Sequence, residues 1–372
     1  MKVLFMANIP SPYRVKFFDE LGKYCDLTVT FEGKKATDRD AGWKARATTS
    51  FRSVYLKGIR TSSDQFLCPG IVKILNRRFD HIIVGGYSTP TSMLAIEYMR
   101  LRRIPFWIEA DGGIISNDNK LKYGLKRHLI SSASAWFSSG KATTEYLVHY
   151  GAKQEKTCVY PFTSVSANQI LDHLPTKEEK DNLRQQLGIT EGKMIVSVGQ
   201  FIHRKGFDIL MRAAAQLPKD IGVYIIGGKP TDDYLQIKKE MNLQRVHFVD
   251  FMPTAQLSKY YQAADVCVFP TREDIWGLVV NEAMANGLPV ITTDRCVAGL
   301  ELVQNGKNGY IVPVDDADAL AEAITKFYAG DMQGMAEEAL KAIRGYTIEE
   351  MAKKHFEILK QATENKYTGI TS

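Results

Sequence analysis

Residues 270–290 read Pro-Thr-Arg-Glu-Asp-Ile-Trp-Gly-Leu-Val-Val-Asn-Glu-Ala-Met-Ala-Asn-Gly-Leu-Pro-Val. One acid, Asp274, stands in a loop before Gly277 with Glu273 beside it, and a second, Glu282, falls inside the helix that follows. This helix is expected to begin at Gly277, where Leu278, Val279 and Val280 offer backbone N–H groups with no partner inside the helix. It should end at Gly287, a residue type suited to the left-handed C′ position. Such an N-terminus takes phosphate, because its free N–H groups and the helix dipole both favour negative charge. A carboxylate one to two turns inside the helix can accept hydrogen bonds from the two hydroxyls of a ribose. A carboxylate just before the helix can do the same for a hexose. The segment therefore carries, in order, the parts to hold a sugar, a diphosphate and a ribose. The two acids by themselves also fit an ordinary strand–loop–helix unit in which they cap the helix and face its dipole.

A second cluster lies in Val196-Ser197-Val198-Gly199-Gln200-Phe201-Ile202-His203-Arg204-Lys205-Gly206-Phe207-Asp208. A strand ends, two cations follow in a loop, and a helix begins. Cations at the C-terminal edge of a sheet strand sit where α/β proteins bind ligands, although a solvated basic loop has the same composition. Gly228, at the end of the strand Ile225-Ile226-Gly227-Gly228, and Phe251, in Val249-Asp250-Phe251-Met252-Pro253, follow two further strands. Near the N-terminus, Asn8-Ile9-Pro10-Ser11-Pro12-Tyr13-Arg14 leaves the first strand, and Phe106-Trp107-Ile108-Glu109-Ala110-Asp111-Gly112-Gly113 sends two acids into two glycines. Asp111 could equally close a turn onto the next backbone groups, and Arg14 could be a surface residue of the first helix. The seven histidines form no metal-ligand spacing, and neither a P-loop nor a G-x-G-x-x-G stretch is present to cradle ATP or NAD.

The 270–290 segment resembles the E-x7-E motif of retaining glycosyltransferases of the GT-B architecture, in the large group called family 4. Its first acid falls on Asp274, an Asp in place of the usual Glu, and its second on Glu282. The 196–208 segment resembles the G-R-x(n)-K-G stretch of the same family. Lys205 takes the Lys position, whereas Gln200 replaces the usual Arg and leaves Arg204 to supply that charge. The resemblance implies an α/β chain of two Rossmann-like domains facing a cleft. It implies transfer of a sugar from a nucleotide diphosphate sugar to a hydroxyl acceptor with retention of configuration. Asp274 would then hold the hexose and Glu282 the ribose. Lys205, Arg204 and the helix from Gly277 through Leu278 and Val279 would take the leaving diphosphate. Glu273, Gly228 and Phe251 would complete the donor site. Ser11, Tyr13, Arg14 and Glu109 would lie on the acceptor side, with Asp111 or Glu109 where many members place a His. No metal or cofactor is implied. The acceptor would be a glycan or lipid-linked, within bacterial surface polysaccharide or glycolipid assembly. The alternatives are a nucleotide-sugar epimerase of the same fold and an inactive sugar-nucleotide-binding protein.

Short apolar runs alternate with helical stretches along the whole chain, which indicates parallel α/β sheets. Strands are expected at Val3–Met6, Leu27–Phe31, His81–Val84, Phe106–Glu109, Ala135–Phe137 and Thr157–Tyr160. A second series is expected at Met194–Val198, Val223–Ile226, Val246–Val249, Val266–Phe269, Val290–Thr293 and Gly309–Val312. The polar stretch from Thr163 to Gly192 marks the domain boundary, giving an acceptor domain over 1–165 and a nucleotide-sugar domain over 190–345. Thr347 and Glu350 form a capping-box pattern. The helix they open, over 347–366, is implied by the resemblance to return to the first domain.

A chain of 372 residues exceeds one hydrophobic core and suits two domains. Five scattered cysteines fit reduced thiols in a cytoplasmic protein. No run of about 18 apolar residues is present to span a bilayer, and the first ten residues read as a strand. Residues 1–160 carry 25 Lys and Arg against 14 Asp and Glu, and the remainder 23 against 28. A basic half of this kind faces an anion or is merely solvated. No nucleic-acid-binding pattern accompanies it. Lys120, Lys122, Lys126 and Arg127 surround Leu121, Leu125 and Leu129 at i, i+4, i+8. That is either a helix packed through its leucines or a patch that meets an anionic membrane from the inner face.

Overall fold

The computed structural model describes residues 1–33, 50–62 and 65–368, with side chains through residue 365. The chain divides into two compact units, Met1–Ser164 with the segment from Tyr346 onward, and Val165–Gly345. In the first unit the strands are β1 (Lys2–Ala7), β2 (Asp26–Phe31), β3 (Arg52–Tyr55), β4 (Ile59–Arg60), β5 (Phe66–Leu67), β6 (His81–Gly85), β7 (Trp107–Ala110), β8 (Ala135–Ser138) and β9 (Thr157–Val159). Seven of them form one parallel sheet in the order β3-β2-β1-β6-β7-β8-β9, while β4 and β5 pair antiparallel apart from it. The second unit contains β10 (Lys193–Val198), β11 (Ile221–Ile226), β12 (Val246–Val249), β13 (Val266–Phe269), β14 (Val290–Thr293) and β15 (Gly309–Val312). These lie parallel in the order β12-β11-β10-β13-β14-β15.

Both sheets wind outward from a central strand, reverse, and wind outward again. The reversal leaves a crevice at the C-terminal ends of the central strands, between β1 and β6 in one unit and β10 and β13 in the other. The strands are unbroken apolar runs because helices cover both faces: Val3, Leu4 and Phe5 in β1, and Met194, Ile195 and Val196 in β10, are fully buried. Ile195, Leu210, Met211, Ile225, Val268 and Ile324 centre the core of the second unit. Leu4, Val84, Ile96, Ile108, Trp136 and Leu147 belong to that of the first.

Three elements differ from the sequence expectation. The edge strand β3 and the β4–β5 hairpin were not expected; they are short and half-exposed, so no apolar run marks them. The polar stretch 163–192 belongs largely to the second unit. Its helix Lys177–Leu187 opens on a capping box between Thr176 and Glu179 and buries no residue. Arg184 instead anchors it, donating to the carbonyls of Ala263 (2.9 Å) and Gly192 (2.8 Å) and to Asp265 (2.8 Å). The helix Ile348–Thr368 belongs to the first unit. It buries Ile348, Met351, Ala352, His355 and Leu359 and packs on the helix Pro12–Gly22. Among the described residues no helix is long and apolar enough to cross a membrane.

Candidate functional site

At the crevice of the second unit, two loops are pressed together. The loop after β10 carries a short turn, His203–Lys205, closed by Gly206 at φ +67°. A Cβ on Gly206 would stand 2.0 Å from the Pro270 carbonyl oxygen, so only glycine lets the loop after β13 approach. The Arg204 carbonyl accepts from the Arg272 N–H (2.8 Å) and the Thr271 hydroxyl (3.0 Å). Arg272 then donates both terminal nitrogens to Asp208 (2.8 and 2.7 Å) and its Nε to Asp315 (2.6 Å). Bonding to Asp208 holds its guanidinium more firmly protonated than usual.

This stitching brings Lys205 Nζ to 2.6 Å from Asp274 Oδ2 and Arg204 Nη1 to 3.3 Å from the same oxygen. Arg204 Nη1 also donates to the Glu273 carbonyl at 2.8 Å. Lys205 Nζ lies 4.7 Å over the Phe269 ring. The Lys205 and Asp274 side chains are 12% and 13% exposed, so their charges interact with little screening. Of the two adjacent acids it is Asp274 that faces the cations, while Glu273 is exposed.

The helix Leu278–Ala285 begins directly after this loop, with Gly277 at φ +103° and no side-chain cap. A Cβ on Gly277 would lie 2.6 Å from Cys296 Sγ. Leu278 and Val279 are half-buried in the first turn, and Glu282 follows one turn in, where the Tyr261 hydroxyl donates to it at 3.4 Å. Gly228 stands two residues beyond β11, with open space where a Cβ would lie. Phe251, beyond β12, is 56% exposed and packs into no core. The residues expected for a donor thus follow the C-terminal ends of β10 to β13, with Glu282 a turn inside the helix after β13.

The first unit brings together Arg14, Glu109 and Asp111, and adds two residues that the sequence reading passed over. Arg14 Nη1 lies 2.6 Å from Glu109, and Nη2 pairs with Asp111 Oδ1. The Tyr160 hydroxyl donates to Asp111 (3.0 Å). His355, from the helix Ile348–Thr368, lies with Nε2 3.0 Å from Glu109 Oε2 and with its ring stacked on Phe137 at 4.5 Å. Burial raises the Glu109 carboxyl, but Arg14 and His355 outweigh it and hold the group down at about 2. Burial pushes Asp111 up to about 6, with the Glu109 charge adding and Arg14 opposing. Three expectations need correction. Arg14 is no surface residue: it is 7% exposed and held by two carboxylates. Glu109 is sealed at 1% exposure, which makes it a support for Arg14 and His355 rather than a contact for an acceptor. A histidine does stand in this region, supplied by the distant helix; no local spacing announces it. Asp111 keeps 27% of its side chain exposed. Ser11 is buried and Tyr13 packs edge-on to Phe162.

The helix Lys120–Ile130 is not packed through its leucine stripe. Leu129 is buried, but Leu121 is 84% exposed and Leu125 48%. Lys122 and Lys126 are both paired with Asp118, at 2.9 and 2.7 Å. Among the described residues no group of three or more His, Cys, Asp or Glu is placed to hold a metal.

Two Rossmann-like α/β units of this order define the GT-B class of fold. Solved structures share it over nearly the whole chain. HepE of Anabaena in complex with UDP superposes with a TM-score of 0.76 at 20% identity, covering 99% of this chain and 100% of that one. The same protein in complex with UDP-glucose gives 0.70 at 20% identity, covering all of both chains. WaaG, a glycosyltransferase involved in lipopolysaccharide biosynthesis, gives 0.67 at 15% identity over 96% and 99%. Residues 179–345 match the family described as Glycosyl transferases group 1. A D-inositol 3-phosphate glycosyltransferase of Corynebacterium urealyticum is 34% identical over 200 residues, 49% of this chain and 46% of that protein. The chain spans about half the length of the curated relatives it matches.

Proposed function

We propose that the protein is a glycosyltransferase that moves a hexosyl group from a nucleoside diphosphate sugar to a hydroxyl acceptor, with retention of configuration. The observation that carries this is the convergence of Lys205, Arg204 and Asp274 beside an uncapped helix N-terminus in the crevice of the second unit. Cations and free N–H groups aimed at one spot stabilise a leaving diphosphate. Asp274 orients the hexose, and Glu282 takes the ribose hydroxyls. No protein nucleophile is assigned: the acceptor attacks the face from which the diphosphate leaves. HepE, which binds UDP and UDP-glucose, and the group 1 match over residues 179–345 support this reading.

In the first unit Asp111 is the acceptor-side carboxylate, one oxygen fixed by Arg14 and Tyr160 and its surface partly open. The acceptor is a glycan or lipid-linked glycan of a surface polysaccharide or glycolipid. The exposed Leu121 and Leu125, flanked by cations, support docking on an anionic bilayer surface at the cytoplasmic face. The test is incubation with a panel of nucleoside diphosphate sugars, with and without cell-envelope lipid, following nucleotide release and a new glycosylated product. Release of a nucleoside diphosphate with transfer is expected, and a panel that gives neither overturns the proposal.

A further inference from the structure

Both cations assigned to the donor diphosphate converge on one carboxylate oxygen of the protein itself. Lys205 Nζ is 2.6 Å and Arg204 Nη1 3.3 Å from Asp274 Oδ2. Asp274 is held by its backbone on both sides, its N–H donating to the Arg295 carbonyl (2.9 Å) and its carbonyl accepting from Val297 (3.2 Å). On a one-carbon side chain, its carboxylate stays within reach of the ammonium. A phosphate over the helix N-terminus and Asp274 are therefore two anions competing for one Lys205, in a place where little water screens either.

The two ligands of the reaction meet this competition differently. A sugar-bearing donor brings hexose hydroxyls that can hydrogen-bond Asp274 while Lys205 turns to the phosphates. A bare nucleoside diphosphate brings no such group, so Asp274 has nothing to exchange for Lys205. We infer that Asp274 is a specificity-determining residue that favours the sugar-bearing donor over the nucleoside diphosphate product by reclaiming Lys205 once the hexosyl group has gone. This rests on the proposed function and adds to it a means of releasing product.

The test is calorimetry on the full chain with UDP, GDP and ADP, for the wild type, Asp274→Asn, Lys205→Met and the double variant. The nucleoside diphosphate that the wild type binds should bind Asp274→Asn at least tenfold tighter. Donor affinity should fall in the same variant, and the gain for the diphosphate should vanish in the Lys205→Met background. Asp274→Ser should repeat the gain, which guards against a fold defect peculiar to the Asn variant. Unchanged or weaker diphosphate binding in both Asp274 variants overturns the inference, as does an equal gain without Lys205. The underlying reading fails differently: no diphosphate binds the wild type, or binding is indifferent to both Lys205→Met and Glu282→Ala.

Discussion

Removing the Lys205 ammonium takes away a charge that is 12% exposed, pairs with Asp274 and is proposed to serve the diphosphate. Loss of one preorganised charge-stabilising group costs about 10²-fold in turnover, or roughly 3 kcal/mol. Lys205→Ala should show that loss in kcat at saturating donor, and near-wild-type turnover would remove this residue from the chemistry. Asp111 gives a pH-dependent expectation. Burial, with Glu109 adding to it, raises this carboxyl to about 6. The fold therefore favours its protonated form, and stability present below its unfolded value is lost as pH rises through about 6. Asn mimics the protonated group. Asp111→Asn should melt above the wild type at pH 8, with the gap closing toward pH 4, while transfer activity falls. A variant that melts lower at pH 8 would contradict this account of the site. The places of Asp274 and Lys205 in loops beyond strand ends, and of Glu282 in the helix that follows, were legible in the sequence because alternating apolar runs mark those elements. The Glu109–His355 contact was not, because a separation of 246 residues leaves no local pattern.

The helix Lys120–Ile130 displays what periodicity can and cannot reveal. Its leucines at i, i+4, i+8 define a face, but the pattern does not say whether that face is covered. Here Leu129 is buried and Leu121 and Leu125 are open. The cations are not equivalent either. Lys122 and Lys126 already serve Asp118, which those bonds hold well below the usual carboxylate range. Each free cation near an anionic leaflet adds on the order of 1 kcal/mol, and salt screens it. Flotation with anionic vesicles at low salt should therefore depend more on the leucines than on these two lysines. Leu121→Asp with Leu125→Asp should abolish binding, and Lys122→Gln should weaken it only slightly. A wild type that ignores such vesicles would leave this helix a solvated face. The missed strand β3 makes the complementary point: Arg52-Ser53-Val54-Tyr55 lies at the sheet edge, where one covered face suffices and no apolar run is required.

Each unit has its own core, and the proposed donor residues all belong to one of them. A nucleoside diphosphate should therefore stabilise Val165–Gly345 alone. At a hundredfold excess over Kd the increment is about 2.7 kcal/mol. Trp276 reports on this unit, and Trp107 and Trp136 on the other. Thermal unfolding followed by tryptophan fluorescence should show a nucleotide-dependent rise that disappears when Trp276→Phe silences the second unit. Equal upward shifts in the Trp276→Phe variant would mean that the units unfold together. At this scale the sequence was most informative, because two series of buried strands restart on either side of residue 165. It was least informative about the stretch 163–192, whose helix fully buries no residue and is anchored through Arg184 and Lys180.

The return of Ile348–Thr368 to the first unit has a consequence for how the protein is made. A ribosome finishes β1 to β9 long before it reaches the helix that covers the face of Pro12–Gly22. At 5–20 residues per second the interval is roughly 10–40 s. During that time Val165–Gly345, continuous in the chain, can complete its own core. The unit synthesised first is thus the last to close, and its uncovered apolar face is the part of the nascent protein most in need of a chaperone.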